Sequence, residues 1–367
     1  MKMQSSWLNK MWWKWISVVL LFYVVVGSFM VPLGPGISKV EPAIFRADTI
    51  YTFTISGYHT HFKDANAGKV QIAFKSGDYY CPGVFKILDN ETIVAQFGIN
   101  SAGQDSIQHA SFDIVVNDDI DGTFSLREGT TFIKNETIDS TAKKIPLNKC
   151  ELEVKHNKHQ FLSFPYREIL YESIRNTFFH VPMWFVMTMM VLFSLLFSIL
   201  YLASGRIRYD IYAHQAIVVA LLFGVCGYAT GMVWSKYTWF IGMSWGEAIR
   251  NMVFQDIKLA GALISIAVYL AYLVLRGSLP DEIKRARISA AYNIFAVVIF
   301  MLFIFIMPRL TDSLHPGNGG NPAFSKYDLD STLRMFFYPA VIGWIILGFW
   351  ILSILIRIDL IKQKQES

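Results

Sequence analysis

Charge is scarce in this sequence: only 17% of its 367 residues are Asp, Glu, Lys or Arg, while 53% are hydrophobic. The charges are grouped rather than spread, which excludes an ordinary soluble domain with a solvated surface. No internal repeat, low-complexity tract, phosphate-binding glycine loop or Ser/His/Asp arrangement is visible, and with them go the nucleotide-hydrolase and nucleophilic-hydrolase readings. The 3 cysteines, Cys81, Cys150 and Cys226, have no spacing that would hold a metal.

What the sequence has instead is long apolar runs. Residues 15–31, 181–203, 216–234, 259–275, 290–307 and 335–356 are each long enough, at about 1.5 Å per residue, to cross a hydrocarbon core of about 30 Å. They predict a polytopic α-helical membrane protein with six transmembrane helices. The first run is followed by GSFMVPLGPG, which lacks a small-x-small cleavage pattern, so a retained anchor over residues 1–32 is expected rather than a signal peptide.

Lysine and arginine set the orientation. Lys2, Lys10 and Lys14 precede the first run, Arg206 and Arg208 follow the second, Arg276, Lys284, Arg285 and Arg287 fill the fourth connection, and Arg357, Lys362 and Lys364 end the chain. Placing all four groups in the cytoplasm satisfies the positive-inside rule at every turn and puts both termini inside. This bias accounts for the net charge of +5 without a nucleic-acid partner.

That topology leaves residues 33–172 outside, and there the sequence changes character. Period-2 alternation in IYTFTIS (Tyr51, Phe53, Ile55), KVQIAF (Val70, Ile72, Phe74), SFDIVV (Phe112, Ile114, Val116) and CELEV (Cys150, Leu152, Val154) is broken by turn signals such as SGD and NDDIDG. An inserted extracytoplasmic all-β domain, a sandwich or a small barrel, is expected. It holds Cys81 and Cys150 in a compartment that permits a disulfide between them. Its histidine pairs, His59 with His61 and His156 with His159, read either as solvated residues or as metal or heme contacts.

Two further histidines mark the outer ends of spans. His180, in RNTFFHVPMWF, opens the second, and His315, in RLTDSLHPG, follows the fifth. Two neutral imidazoles converging from different helices can supply both axial ligands of a heme iron. Between the third and fourth spans, Trp234, Tyr237, Trp239, Trp245 and Phe254 lie within 21 residues, with Lys236, Arg250 and Lys258 among them. Interfacial Trp and Tyr form aromatic belts in any case, but glycines and cations interleaved with them describe a surface for a flat anionic ring, with Arg175 in a similar position.

RNTFFHVPMWF, GYATGMVWSKYTW, the DIKL start of the fourth span and RLTDSLHPG together resemble the CcmC family, the heme-handling membrane subunit of cytochrome c maturation, within the tryptophan-rich heme-handling superfamily. The likeness covers roughly residues 170–357. It implies a five-helix heme-handling membrane domain at 173–367, with an external tryptophan-rich segment at 234–258. By the same resemblance His180 and His315 are axial ligands of non-covalent heme b. Trp234, Tyr237, Trp239, Trp245 and Phe254 are the platform, and Arg175, Lys236, Arg250, Asp256 and Lys258 meet propionates or orient the motif. Asp256 takes the place of the family's acid once an insertion in the tryptophan segment is allowed. The β-rich domain is an addition to the family's pattern.

The function that the resemblance implies is binding and transfer rather than catalysis: heme is held at the periplasmic face of a bacterial inner membrane and passed to a CcmE-like periplasmic heme chaperone. Subunits of an ATP-driven exporter are further expected partners. Two other classes fit the sequence less well. A quinol-linked membrane oxidoreductase needs histidines deep in the spans, where only His214 approaches that position, and a sensor or transporter using the β-domain as receptor needs polar groups in the spans or a signalling domain inside.

Overall fold

The computed structural model describes residues 12–46, 50–76, 79–98, 109–133, 153–154, 162–310 and 329–366. The chain forms two compact units, one of Met1–Met30 with Glu172–Ser367 and the other of Val31–Tyr171.

The first unit is helical: α1 (Trp12–Met30), α2 (Thr177–Ser204), α3 (Ile207–Thr238), α4 (Trp245–Gln255), α5 (Ile257–Gly277), α6 (Glu282–Met301), α7 (Met307–Leu310) and α8 (Ser331–Glu366). A π-helical turn, Leu302–Ile306, joins α6 to α7. Six of the helical segments are long and apolar enough to cross a membrane. Such segments become helices because only a helix pairs every backbone polar group within itself when no water is at hand.

Small residues let the helices approach. On α3, Gly224, Gly227 and Gly231 form one stripe facing α2, where an added Cβ would stand 2.6 Å from Met187 Sδ, 3.1 Å from Met183 Cβ and 2.7 Å from His180 Cε1. Where α1 and α8 pack, Ser17 donates to the Gly343 carbonyl at 2.9 Å, and a Cβ at Gly27 would collide with the Phe336 ring. Lys14 lies over the Trp350 ring at 5.5 Å while Tyr23 stacks on Phe336 at 5.1 Å, so the two helices run antiparallel.

The helices outrun the apolar runs that announce them. The run at 216–234 belongs to a helix that begins at Ile207, and this extension carries Asp210 into a buried pairing with Arg276 of α5. Two parallel bonds join them, 2.7 Å from Nη1 to Oδ1 and 2.5 Å from Nη2 to Oδ2. Arg276, read from sequence as a loop cation, therefore sits in the last turn of a helix, with its side chain 11% exposed. Deeper in the bundle, Asn293 of α6 donates to Ser194 and Ser198 of α2, both at 2.9 Å.

The second unit is a β-sandwich. Its described strands are β1 (Gly36–Glu41), β2 (Ile44–Arg46), β3 (Ile50–Tyr58), β4 (Gln71–Ser76), β5 (Tyr79–Pro82), β6 (Val84–Ile87), β7 (Thr92–Gly98), β8 (His109–Asn117) and β9 (Thr123–Ile133). One sheet has the order β1-β3-β7-β6 and the other β2-β9-β8-β4-β5, in which β2 pairs parallel to β9 and the other pairs are antiparallel. The alternation read in three runs places Phe53, Ile55, Val70, Ile72, Phe74, Phe112, Ile114 and Val116 in one shared core. Phe74 and Phe97 stack across the two sheets with centroids 3.8 Å apart. Two sheets meeting face to face decide between sandwich and barrel. The run CELEV lies mostly outside the described residues, and Glu153 and Val154, which are described, are not in a strand. Cys81 is disulfide-bonded and Cys226 is a free thiol; Cys150 lies outside the described residues.

Candidate functional site

His180 stands in the first turn of α2, 8% exposed, against the glycine stripe of α3. The stripe's spacing of three and four residues keeps its members on one helix face, and the missing side chain at Gly231 leaves the volume that the imidazole fills. Its Nδ1 is 2.9 Å from the Gly227 carbonyl and 3.2 Å from Thr230 Oγ1. The Thr230 hydroxyl itself donates to Cys226 and Gly227 carbonyls at 2.9 and 3.0 Å, so both oxygens beside Nδ1 are acceptors for it. Nδ1 therefore carries a proton, as it does in a metal-ligating histidine oriented by a carbonyl. Two tryptophans meet the imidazole edge to face: Trp234 at 5.7 Å and Trp184 at 6.4 Å between centroids. Trp234 is itself fixed by a bond from Nε1 to Ser173 Oγ at 2.9 Å.

His180 lines a cavity of about 150 Å³ that Trp184, Tyr228, Lys258, Phe303 and Pro308 also border. Phe303 comes from the π-helical turn, a rare feature that frequently marks functional sites. The cavity brings an imidazole, His180, and a cation, Lys258, to one space. It is smaller than the roughly 300–1,000 Å³ that encloses a drug-sized ligand.

The tryptophan segment divides into parts with different surroundings. Trp239 packs half-buried beside a small core of Phe240, Ala248, Met252 and Leu259, beneath α4. Tyr237 and Trp245, 63% and 45% exposed, meet edge to face at 6.3 Å. Lys236 lies over both rings, at 5.5 and 5.8 Å, and its Nζ donates to the Phe240 carbonyl at 3.3 Å. Phe254 is 82% exposed and Arg250 is exposed. Trp234 is thus the member of the predicted platform that touches His180, while Trp239 supports the fold from beneath.

Two caps shape this segment. Ser244 and Glu247 form a capping box at the start of α4, with Ser244 Oγ accepting from Glu247 N and Glu247 accepting from Ser244 N at 3.0 Å. The Ser244 hydroxyl, which donates to the Glu247 carboxylate at 2.8 Å, and then the Ser244 backbone N–H hold that carboxyl below the usual carboxylate range. Asp256, 1% exposed, caps α5 by accepting from Lys258 N at 2.9 Å and Leu259 N at 3.0 Å. It thereby caps the helix that carries Lys258. Arg175 pairs with Glu172 at 2.6 Å and donates to the Ser28 carbonyl of α1.

His315, His156 and His159 lie outside the described residues. His61 is held by Asp121, whose Oδ2 accepts from its backbone N at 2.6 Å while Oδ1 meets Nδ1 at 2.9 Å. Among the described residues no group of three or more His, Cys, Asp or Glu converges as a metal site. Sequence reasoning passed over Trp184, Gly227, Thr230 and Gly231; the G-x-x-x-G spacing of 227 and 231 in an apolar helix was the signal for them. No model of a known protein family matches the chain, and no curated protein matches it.

Proposed function

We propose that the helical unit lies in a bacterial inner membrane as six spans, with both termini cytoplasmic and the β-sandwich periplasmic, and that it binds heme through His180 and hands it to a periplasmic chaperone. The observation that carries this reading is the pairing of His180 Nδ1 with the Gly227 carbonyl, the orientation expected of a metal-ligating histidine, at the wall of a cavity shared with Lys258. The Lys and Arg distribution supports the orientation, and the order of the sequence motifs supports His315 as the second axial ligand.

In this reading heme is cargo. His180 supplies one axial bond, Trp234 and Trp184 hold the imidazole upright, and Lys258 attracts a propionate. The exposed Tyr237 and Trp245 offer aromatic surface to the rim of the macrocycle. Release needs the exchange of one axial ligand for a ligand from the partner.

Imidazole rescue tests the assignment. Purified His180→Gly should lose the six-coordinate heme spectrum, and added free imidazole should restore it. Failure of imidazole to change the spectrum of a folded variant would remove His180 as a ligand.

A further inference from the structure

The β-sandwich carries a cluster of rings outside its core. Consecutive residues of an extended strand point to opposite faces. Tyr58 ends β3, and the next residue, His59, adopts φ 49°, in the left-handed region that strains any residue with a Cβ. The turn folds the imidazole back on its own neighbour: the rings of Tyr58 and His59 stack with centroids 4.1 Å apart and 19° between planes. Tyr166 also stacks on Tyr58, at 4.7 Å and 22°. Two rings this close and this nearly parallel cannot share one face of a phenol, so Tyr58 is the middle of a column that ends in His59.

The column is built into the unit. Tyr166 fits because β1 begins with Gly36, where a Cβ would stand 2.3 Å from the Tyr166 ring. Tyr171 meets Tyr58 and Tyr166 edge-on at 5.2 and 6.0 Å, and it too has a positive φ, 46°. His59 and Tyr171 are the two non-glycine residues with positive φ among the described residues, and both belong to this cluster. Strain of this kind persists where the surroundings enforce it, and it gathers at ligand sites. His59 is exposed, and among the described residues no hydrogen bond engages its ring nitrogens.

We propose that this column is a second site for an iron porphyrin, with His59 as ligand to the iron and the tyrosines as the aromatic wall beside it. The identity of the ligand rests on the reading of His180 above. A bare metal ion finds no converging ligand set among the described residues. A porphyrin brings the equatorial ligands itself and asks the protein for one imidazole and an apolar surface. The sandwich then stages the same cargo that the helical unit binds.

The test is titration of the full, detergent-purified chain with hemin, with bound heme counted by pyridine hemochrome in wild type, His59→Gly, His180→Ala and the double variant. Glycine suits position 59 because it accepts φ 49° without strain, so the fold survives and only the imidazole is lost. Wild type should take up about two equivalents, each single variant about one, and the double variant none. Wild-type uptake by His59→Gly overturns the proposal. If His180→Ala removes all heme and His59→Gly none, the column fails while the His180 reading stands. If His59→Gly alone reduces uptake, the column stands and the His180 reading fails.

Discussion

The Nδ1 of His180 lies 2.9 Å from the Gly227 carbonyl oxygen, so a backbone group of α3 holds a proton on that nitrogen of an α2 side chain. The same stripe of α3 makes room for that side chain, since Gly231 presents only hydrogen where a methyl group would lie 2.7 Å from His180 Cε1. Helix packing and the orientation of the imidazole are therefore one feature.

Gly231→Ala tests this coupling. The imidazole must move or the helices must part, and overpacking of this kind costs about 1–3 kcal/mol. The variant should melt earlier than wild type and show a changed visible spectrum of bound heme. An unchanged spectrum with lowered stability would separate the packing from the ligand.

Asp256 gives a graded pair of variants. Asp256→Asn keeps an oxygen acceptor for the Lys258 and Leu259 amides and should change stability by a few tenths of a kcal/mol, whereas Asp256→Ala should cost about 1–2 kcal/mol. Thermal unfolding in detergent reads both. If Asp256→Asn keeps full stability yet loses heme, the charge of Asp256 acts on the ligand directly and the cap is not its whole role.

The buried Asp210–Arg276 pair predicts strong non-additivity. Removing either partner leaves an uncompensated charge and should cost about 3–5 kcal/mol, while replacing both with apolar residues of similar volume should be far milder than the sum. Near-additive costs in a double-mutant cycle would show that the pair is solvated despite its burial.

The apolar runs made the six long helices legible, because a span of lipid thickness has no polar interruption, and alternation made three of the sandwich strands legible. The extension of α3 down to Ile207 was not, since a hydropathy window stops where charges begin, although helical geometry continues through a paired Asp210 and Arg276. At the site, the tryptophan-rich segment was legible as a block, but its division was not. Trp234 against His180 and Trp239 in the local core differ in how α3 and the turn after it present them, which composition does not encode. The left-handed turn at His59 was invisible for a like reason: nothing in YHTH announces a positive φ at a residue with a Cβ.

Cys81 is disulfide-bonded, so Cys81→Ser should lower the stability of the sandwich by about 2–5 kcal/mol. Limited proteolysis with and without reductant checks this. Equal protease resistance of reduced and oxidised wild type would show that the bond adds nothing to the fold.

The most direct measurement is the heme content and visible spectrum of the purified chain beside His180→Ala and His315→Ala at matched folding and expression. The account predicts six-coordinate heme in wild type, with ligation lost or changed in each variant. Wild-type protein that takes up no heme, even when reconstituted with hemin, would contradict it.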